Sequence, residues 1–160
     1  MTRLTRFFPA PLHRATLRVA YGLRHRWRLL ARQRIDGVSV IAHGSCGGIL
    51  LVRHSYGPAV WALPGGGMSP NEHPLAAAAR EIREELGCAL ENPRLVARLD
   101  EEVSGSHHVG HLVAARLDGR PRPDRREVLE ARFFLLEELP GDIGEMALRR
   151  ITIWLEQQPR

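Results

Sequence analysis

A run of three glycines followed by a segment with helical periodicity limits what this chain can fold into. The glycines are residues 65–67, and the segment covers residues 74–86. Its apolar positions recur at helical spacing, at Leu75, Ala78, Ala79, Ile82 and Leu86. Glu81, Glu84 and Glu85 lie at i, i+3 and i+4, so one helix face is expected to carry all three. The helix is therefore predicted to pack one stripe on a core and to collect negative charge on the adjacent stripe.

The three carboxylates repel one another at this spacing. Like charges one turn apart destabilise a helix by about 0.2–0.5 kcal/mol per pair. A hard divalent cation that prefers oxygen ligands would offset this repulsion. The alternative is an acidic surface in water that Arg80 and Arg83 balance. Short motifs often match by chance, so the sequence EIREE alone does not separate the two interpretations.

The spacing of the residues around this helix resembles the Nudix box. Five residues separate Gly66 from Glu72, and seven more precede the run 80–88, REIREELGC. The family pattern is glycine, five residues, glutamate, seven residues, then arginine-glutamate-aliphatic-any-glutamate-glutamate-any-glycine-aliphatic. Every charged and glycine position matches, and the one departure is Cys88, a small hydrophobe where an aliphatic residue is usual. The flanks resemble the family over residues 35–155.

The resemblance implies a metal-dependent hydrolase that cleaves a phosphoanhydride bond. It makes Glu81, Glu84 and Glu85 the ligands of Mg²⁺ or Mn²⁺, with the Gly65 carbonyl as a further ligand. Hard cations of this kind favour such oxygen donors. Glu84 and Glu85 are also expected to be catalytic, and Arg80 is expected to hold the carboxylates through a bidentate salt bridge.

The resemblance leaves the catalytic base open between a box glutamate and a glutamate of a later loop. The later candidates are Glu101, Glu102, Glu127 and Glu130. Glu127 is our choice outside the box because it precedes a strand expected at 131–136; the alternative is an exposed loop carboxylate. Glu72 is expected to support the glycine turn.

The substrate is expected to be a nucleoside diphosphate linked to another moiety, with a nucleotide sugar and a (d)NTP both open. Arg53, Trp61 and His107 are predicted to contact it, although a tryptophan beside the turn also suits plain packing. Residues 103–106 carry none of the substrate markers of the family. One alternative is an RNA 5′-end pyrophosphohydrolase or RNA-associated protein, and another is a non-catalytic nucleotide-binding module. The module would be expected to have lost a box glutamate, and none is lost.

Charge divides the chain into two regions. Residues 1–34 hold nine arginines and no acidic residue, while residues 35–160 hold fourteen arginines and eighteen acids. This difference predicts a basic accessory arm at 1–34, and the Nudix resemblance implies a hydrolase domain at 35–160. The longest apolar run of the arm, 19–23, is too short for a signal-peptide core or a membrane span.

The arm has the pattern of a basic helix. Its apolar positions are Ala20, Leu23, Trp27 and Leu30. We expect it to pack on the domain or on a partner subunit of a homo-oligomer. The alternative is a more specific role, in which the arm contacts a membrane surface, a polyphosphate or RNA. No transmembrane segment is expected.

The remaining pattern predicts an α/β fold. Strands are expected at 38–42, 47–53, 61–63, 95–102, 108–117 and 131–136. A closing helix is expected at 143–156, with mostly core residues among Met146, Leu148, Ile151, Ile153 and Leu155. Strands with two separated helices indicate an α/β/α sandwich with a mixed sheet, which the Nudix resemblance also implies. Cys46 and Cys88 do not make a disulfide framework, so a reducing, cytoplasmic location is expected.

Overall fold

The computed structural model describes residues 35–44, 47–103 and 106–158, in which five strands form one sheet. The strands are β1 (Ile35–His43), β2 (Ile49–His54), β3 (Ala89–Val103), β4 (Ser106–Asp118) and β5 (Val128–Phe134). The helices are α1 (Pro74–Leu86) and α2 (Glu145–Glu156), with a short 3₁₀ helix at Leu136–Glu138. The arm at 1–34 and Cys46 lie outside the described residues, so what the sequence predicts for them stays a prediction. In the described part of the chain, no helix combines the length and the apolar character that a membrane crossing needs.

The sheet is mixed, as predicted. Its strand order is β3-β4-β1-β2-β5. The central pair, β1 and β4, is parallel, with Ile35 opposite His108 and His43 opposite Arg116. The other three pairs are antiparallel. β1 therefore joins two antiparallel parts of the sheet into one layer.

The two helices cover opposite faces of this sheet. Successive residues of a strand point to opposite faces, so Val40 packs beneath α1 while Ile41 packs beneath α2. The α1 side buries Leu50, Val52, Ile82 and Leu86, and the α2 side buries Ile49, Leu51, Leu112 and Ile151. Burying one such side chain stabilises the fold by about 1.5–3 kcal/mol. The predicted α/β/α sandwich is confirmed.

The predicted limits of α1 are confirmed by its capping contacts. His73 is the N-cap, and its Nδ1 accepts a hydrogen bond of 3.3 Å from the Leu75 amide. Pro74 follows in the first turn, where a missing N–H costs no helical hydrogen bond. Gly87 ends the helix in the left-handed conformation (φ +66°), and its N–H donates to the Arg83 carbonyl. These caps fix the two ends of α1 and therefore the positions of its three glutamates.

The glycine turn pairs with the first half of β1. The amides of Val38 and Val40 donate to the carbonyls of Gly66 and Pro64, each at 2.9 Å. Gly65 has φ +139°, and a Cβ there would lie 2.2 Å from the Val38 carbonyl oxygen. A side chain at Gly65 would therefore break the pairing that holds the turn against the sheet.

Several element limits differ from the prediction. β3 begins at Ala89, directly after α1, and β5 covers Val128–Phe134, so both start earlier than expected. The expected strand at 61–63 is reduced to isolated bridges at Trp61 and Ala62. Pairing with β4 and β2 extends these strands across polar residues that have little strand propensity of their own.

The predicted core face of α2 is wrong at three positions. Met146, Leu148 and Leu155 are 40–42 % exposed. The helix begins at Glu145 and turns Ala147 and Ile151 to the sheet. A helix on one side of a sheet buries a single stripe, so the apolar residues outside that stripe remain in water.

Candidate active site

The three glutamates of α1 differ in burial. The residue Glu85 is 4 % exposed, while the Glu81 and Glu84 side chains are 13 % and 50 % exposed. Glu85 belongs to the buried stripe of the helix, together with Ile82 and Leu86. Glu85 is thus buried, Glu81 is mostly buried and Glu84 is half exposed.

Arg80 connects the helix to the glycine turn. Its Nε and Nη2 donate to the two carboxylate oxygens of Glu72 at 2.8 and 2.9 Å. Nη1 donates to Glu81 at 2.8 Å, and Nη2 also donates to the Gly67 carbonyl at 2.9 Å. Glu84 is more distant, at 3.5 Å. The bidentate pair expected of Arg80 is therefore made with Glu72.

Glu72 supports the turn as the resemblance implied. Besides its pair with Arg80, its carboxylate accepts the Ser69 amide at 2.9 Å. The Arg80 hydrogen bonds, followed by the one from Ser69, lower the pKa of Glu72 to about 2. Glu72 is therefore ionised throughout the neutral range and stays available to orient Arg80.

We use the name carboxylate cluster for Glu81, Glu85 and Glu127, whose negative charges lie near enough to act on one another. Burial raises the pKa of Glu81, although Arg80 opposes the rise. Burial raises the pKa of Glu85 well above its usual value, and the charges of Glu81 and Glu127 raise it further. A hydrogen bond from the Gly65 backbone opposes this but does not cancel it.

The donors of this cluster fit a hard cation. Within the described residues, Oε2 of Glu85 is buried without a hydrogen-bond partner. A Cβ on Gly66 would lie 2.7 Å from the Glu81 carboxylate, so that carboxylate rests against the backbone of the turn. No three His, Cys, Asp or Glu side chains of the described chain already converge as a metal-binding group. The oxygen donors and the unpartnered charge suit Mg²⁺ or Mn²⁺, and binding would gather carboxylates that now stand apart.

The four late glutamates proposed as bases have separate environments. Glu127 lies close enough to Glu81 and Glu85 to raise the pKa of both. Glu101 is instead buried in a salt bridge with Arg150 at 2.8 Å. Glu130 pairs with arginines at the edge of the sheet, and the side chain of Glu102 lies outside the described residues. Glu127 therefore keeps its place as the base candidate outside the box.

Trp61 is packed in the core, which is the alternative given above to its predicted contact with the substrate. It is 4 % exposed, and its ring meets that of Phe134 edge-on at 4.9 Å. The Arg53 guanidinium lies 4.8 Å from the ring centroid. Arg53 also pairs with Asp142. The side chain of His107 lies outside the described residues.

The sequence prediction missed an ion-pair network on the α2 face, formed by Ser39, Glu101 and Arg150. Arg150 is 6 % exposed and donates to Ser39 and Glu101. Gly110 makes room for it, since a Cβ there would lie 2.7 Å from the guanidinium. The sequence contained one signal for this network, because Arg150 follows Ala147 by three residues and so lies on the same stripe of the helix.

The chain was compared with protein families and curated proteins. The model of the NUDIX domain matches residues 33–155. RNA pyrophosphohydrolase of Rhizobium meliloti (strain 1021) is 34 % identical over 93 residues, which cover 57 % of this chain and 49 % of that protein. Diphosphoinositol polyphosphate phosphohydrolase 3-beta of Bos taurus is 41 % identical over 59 residues, or 37 % of this chain and 36 % of that protein. The chain thus spans half or less of the length of these curated relatives.

Solved structures give the same family. A MutT NUDIX hydrolase from Burkholderia pseudomallei superposes with a TM-score of 0.67 and 29 % identity, covering 75 % of this chain and 97 % of that one. A UDP-X diphosphatase, at a TM-score of 0.63 and 23 % identity, covers 79 % of this chain and 65 % of that one and shows the shared fold. The family model covers most of the chain, including the glycine turn, Arg80 and the glutamates of α1. The chain therefore belongs to the Nudix hydrolase family.

Proposed function

We propose that this protein hydrolyses a phosphoanhydride bond in a nucleoside diphosphate linked to another moiety, with the help of a divalent cation. The observation that carries the proposal is Glu85, a buried carboxylate with an unpartnered oxygen beside Glu81 and Glu127. A buried carboxylate without a counter-charge is costly. A bound cation would neutralise the charge of these carboxylates and would also bind the phosphate groups of an anionic substrate.

The proposed roles of the side chains rest on the family resemblance, and their positions on α1 and beside the glycine turn support them. Glu81, Glu84 and Glu85 would hold Mg²⁺ or Mn²⁺ with the Gly65 carbonyl. The cation would supply charge neutralisation at the phosphate oxygens and a lower pKa for the attacking water. Glu127 would take the proton of that water as the P–O bond to the leaving phosphate breaks.

Arg80 would orient the acidic side chains without touching the substrate. Its hydrogen bonds to Glu72, Glu81 and Gly67 set α1 against the glycine turn. Because the pairing with Glu72 is bidentate, a lysine could not reproduce it. Arg80→Lys is expected to lower activity although the charge is kept.

A screen for cleavage products with Mg²⁺ or Mn²⁺ tests the proposal, with substrates and products separated by anion-exchange chromatography. The panel contains nucleotide sugars, other nucleoside diphosphate derivatives, (d)NTPs, a diphosphoinositol polyphosphate and 5′-triphosphorylated RNA. We expect metal-dependent cleavage of at least one nucleoside diphosphate derivative into a nucleoside monophosphate and a second phosphate monoester, and EDTA should abolish it. Cleavage of none of these compounds with either metal would contradict the proposal.

A second candidate is an RNA 5′-end pyrophosphohydrolase. It is supported by the 34 % identity over 93 residues to an RNA pyrophosphohydrolase and by the nine arginines of residues 1–34. Binding through these arginines would weaken as salt rises. Deleting residues 1–34 should then remove the salt-dependent RNA affinity and leave kcat on small nucleotides within a few-fold of the full chain. Equal RNA affinity with and without the arm would contradict this candidate.

A further inference from the structure

The loop before β5 is organised around one aspartate. The Asp124 carboxylate accepts hydrogen bonds from three consecutive backbone amides, those of Arg126, Glu127 and Val128, at 2.9, 3.0 and 3.0 Å. A second bond from the Glu127 amide reaches its other oxygen at 3.3 Å. A carboxylate that accepts several amides fixes the local backbone as an Asx-type turn does. The conformation of the chain at Glu127 therefore depends on the Asp124 side chain.

The same loop is attached to the end of α1. The amide of Asp124 donates to the Glu85 carbonyl at 3.0 Å, and the amide of Arg122 donates to the Leu86 carbonyl at 2.9 Å. The last carbonyls of a helix have no partner inside the helix, so these bonds complete the C-terminal turn. The loop is thereby held at the turn that carries the buried Glu85.

A third set of contacts ties the loop to β2. The Ser55 amide donates to the Glu127 carbonyl at 2.8 Å, and the Ser55 hydroxyl donates to the Arg126 carbonyl at 2.5 Å. The backbone on either side of the Glu127 side chain is thus bound from two directions. The remaining freedom of Glu127 lies mainly in its own side-chain rotamers.

We propose that Asp124 is a positioning residue that holds the Glu127 carboxylate next to Glu81 and Glu85. This inference rests on the proposed function, in which Glu127 accepts a proton. The effect of Glu127 on the pKa of Glu81 and Glu85 agrees with this placement. Asp124 acts through the backbone of the loop, because its oxygens are occupied by amides.

A double-mutant cycle with Asp124→Ala and Glu127→Gln tests this link. The first readout is the affinity of the full-length protein for Mn²⁺ alone, and the second is kcat on the best compound of the screen. The charge of Glu127 acts on Glu81 and Glu85, so its position should affect the affinity of these ligands for a cation. Residues that support a metal site change its affinity by about 10–100-fold when mutated. We expect Asp124→Ala to weaken Mn²⁺ binding by about 10-fold in the wild-type background and by less than about 2-fold with Glu127→Gln.

The controls separate positioning from general stability. Asp118→Ala removes an exposed aspartate at the end of β4 and should change neither readout. Asp124→Asn keeps one acceptor oxygen and should recover much of the lost affinity and kcat, with circular dichroism confirming the fold. Equal factors for Asp124→Ala in both backgrounds would overturn the inference, and so would wild-type Mn²⁺ affinity in Asp124→Ala.

The two proposals fail in different ways. Coupling of Asp124 and Glu127 in the Mn²⁺ affinity without turnover of any compound would remove the proposed function and keep the inference. Turnover of a compound together with independent effects of Asp124→Ala and Glu127→Gln would keep the proposed function and remove the inference.

Discussion

The carboxylate cluster and the ion-pair network both contain a buried glutamate, but the glutamate of the network pairs with an arginine, while one oxygen of Glu85 in the cluster has no hydrogen-bond partner among the described residues. On the α2 face, Glu101 pairs with Arg150 at 2.8 Å and with Arg149 at 3.5 Å. On the α1 face, Glu85 is equally enclosed, and its neighbours Glu81 and Glu127 carry the same sign of charge. A buried charge with a partner belongs to the fold, whereas a buried carboxylate oxygen without one is costly and supports the proposal that a cation binds there.

The largest expected effect is on the network. Arg150→Ala leaves Glu101 and Ser39 buried without their main partner, and breaking such a pair costs about 3–5 kcal/mol. We expect that loss in the free energy of unfolding, measured by urea denaturation. The matched control is Arg149→Ala, whose side chain is 65 % exposed, with a loss of about 1 kcal/mol or less. Equal losses would show that Arg150 has no special role in the core.

A similar contrast is expected within α1. Ile82 is fully buried, and Ile82→Ala should cost about 2–5 kcal/mol because it leaves a cavity. Glu81→Gln in EDTA should cost little, since it removes one of several like charges from the carboxylate cluster. Denaturation of both variants in the same buffer gives the comparison. If Glu81→Gln loses more stability than Ile82→Ala, the assignment of core and site faces of α1 is wrong.

The catalytic consequence should appear on the α1 face alone. Glu85→Gln keeps the shape and removes the charge, and we expect kcat to fall by at least about 100-fold, the scale of a positioned catalytic group. Glu130→Gln is the control, since its side chain is 42 % exposed and pairs with arginines at the sheet edge. Turnover like the wild type in Glu85→Gln would refute its role.

The pH dependence of stability should differ in sign between two glutamates of the α1 face. Burial raises the pKa of Glu85 well above 4.5. In EDTA the Glu85 carboxyl of the unfolded chain therefore loses its proton at a lower pH than that of the folded chain. The free energy of unfolding then falls as the pH rises above 4.5. The pKa of Glu72 is lowered to about 2, so its contribution is present above pH 4.5 and is lost on acidification. Glu85→Gln should remove this fall in stability above pH 4.5. An unchanged pH profile of unfolding would contradict this.

The features that were predicted correctly depend on neighbours in sequence. The limits of α1 follow from His73, Pro74 and Gly87, and the glycine turn precedes the helix at a fixed offset. Burial of Trp61 and Arg150 depends instead on strands and helices far away in the chain. Local periodicity does not show which stripe of α2 meets the sheet, nor that Gly110 makes room for a guanidinium.

The site was predicted in its residue types and only partly in its geometry. The spacing of the box identified Arg80 and the three glutamates of α1, yet it did not reveal that Glu72 takes the bidentate pair. Asp124 was missed because an aspartate in a proline-containing loop is common. Its importance arises only when that loop meets the end of α1.

The parallel pairing of β1 with β4 has a consequence for the order in which this protein folds. The pair joins Ile35 to His108, so it must close a loop of roughly seventy residues before it is stabilised. The glycine turn is attached to β1, and β1 gains its second neighbour only when β4 arrives. A nascent chain that has emerged only through α1 would already carry all four box glutamates but would lack β4, so assembly of the site waits for the second half of the polypeptide.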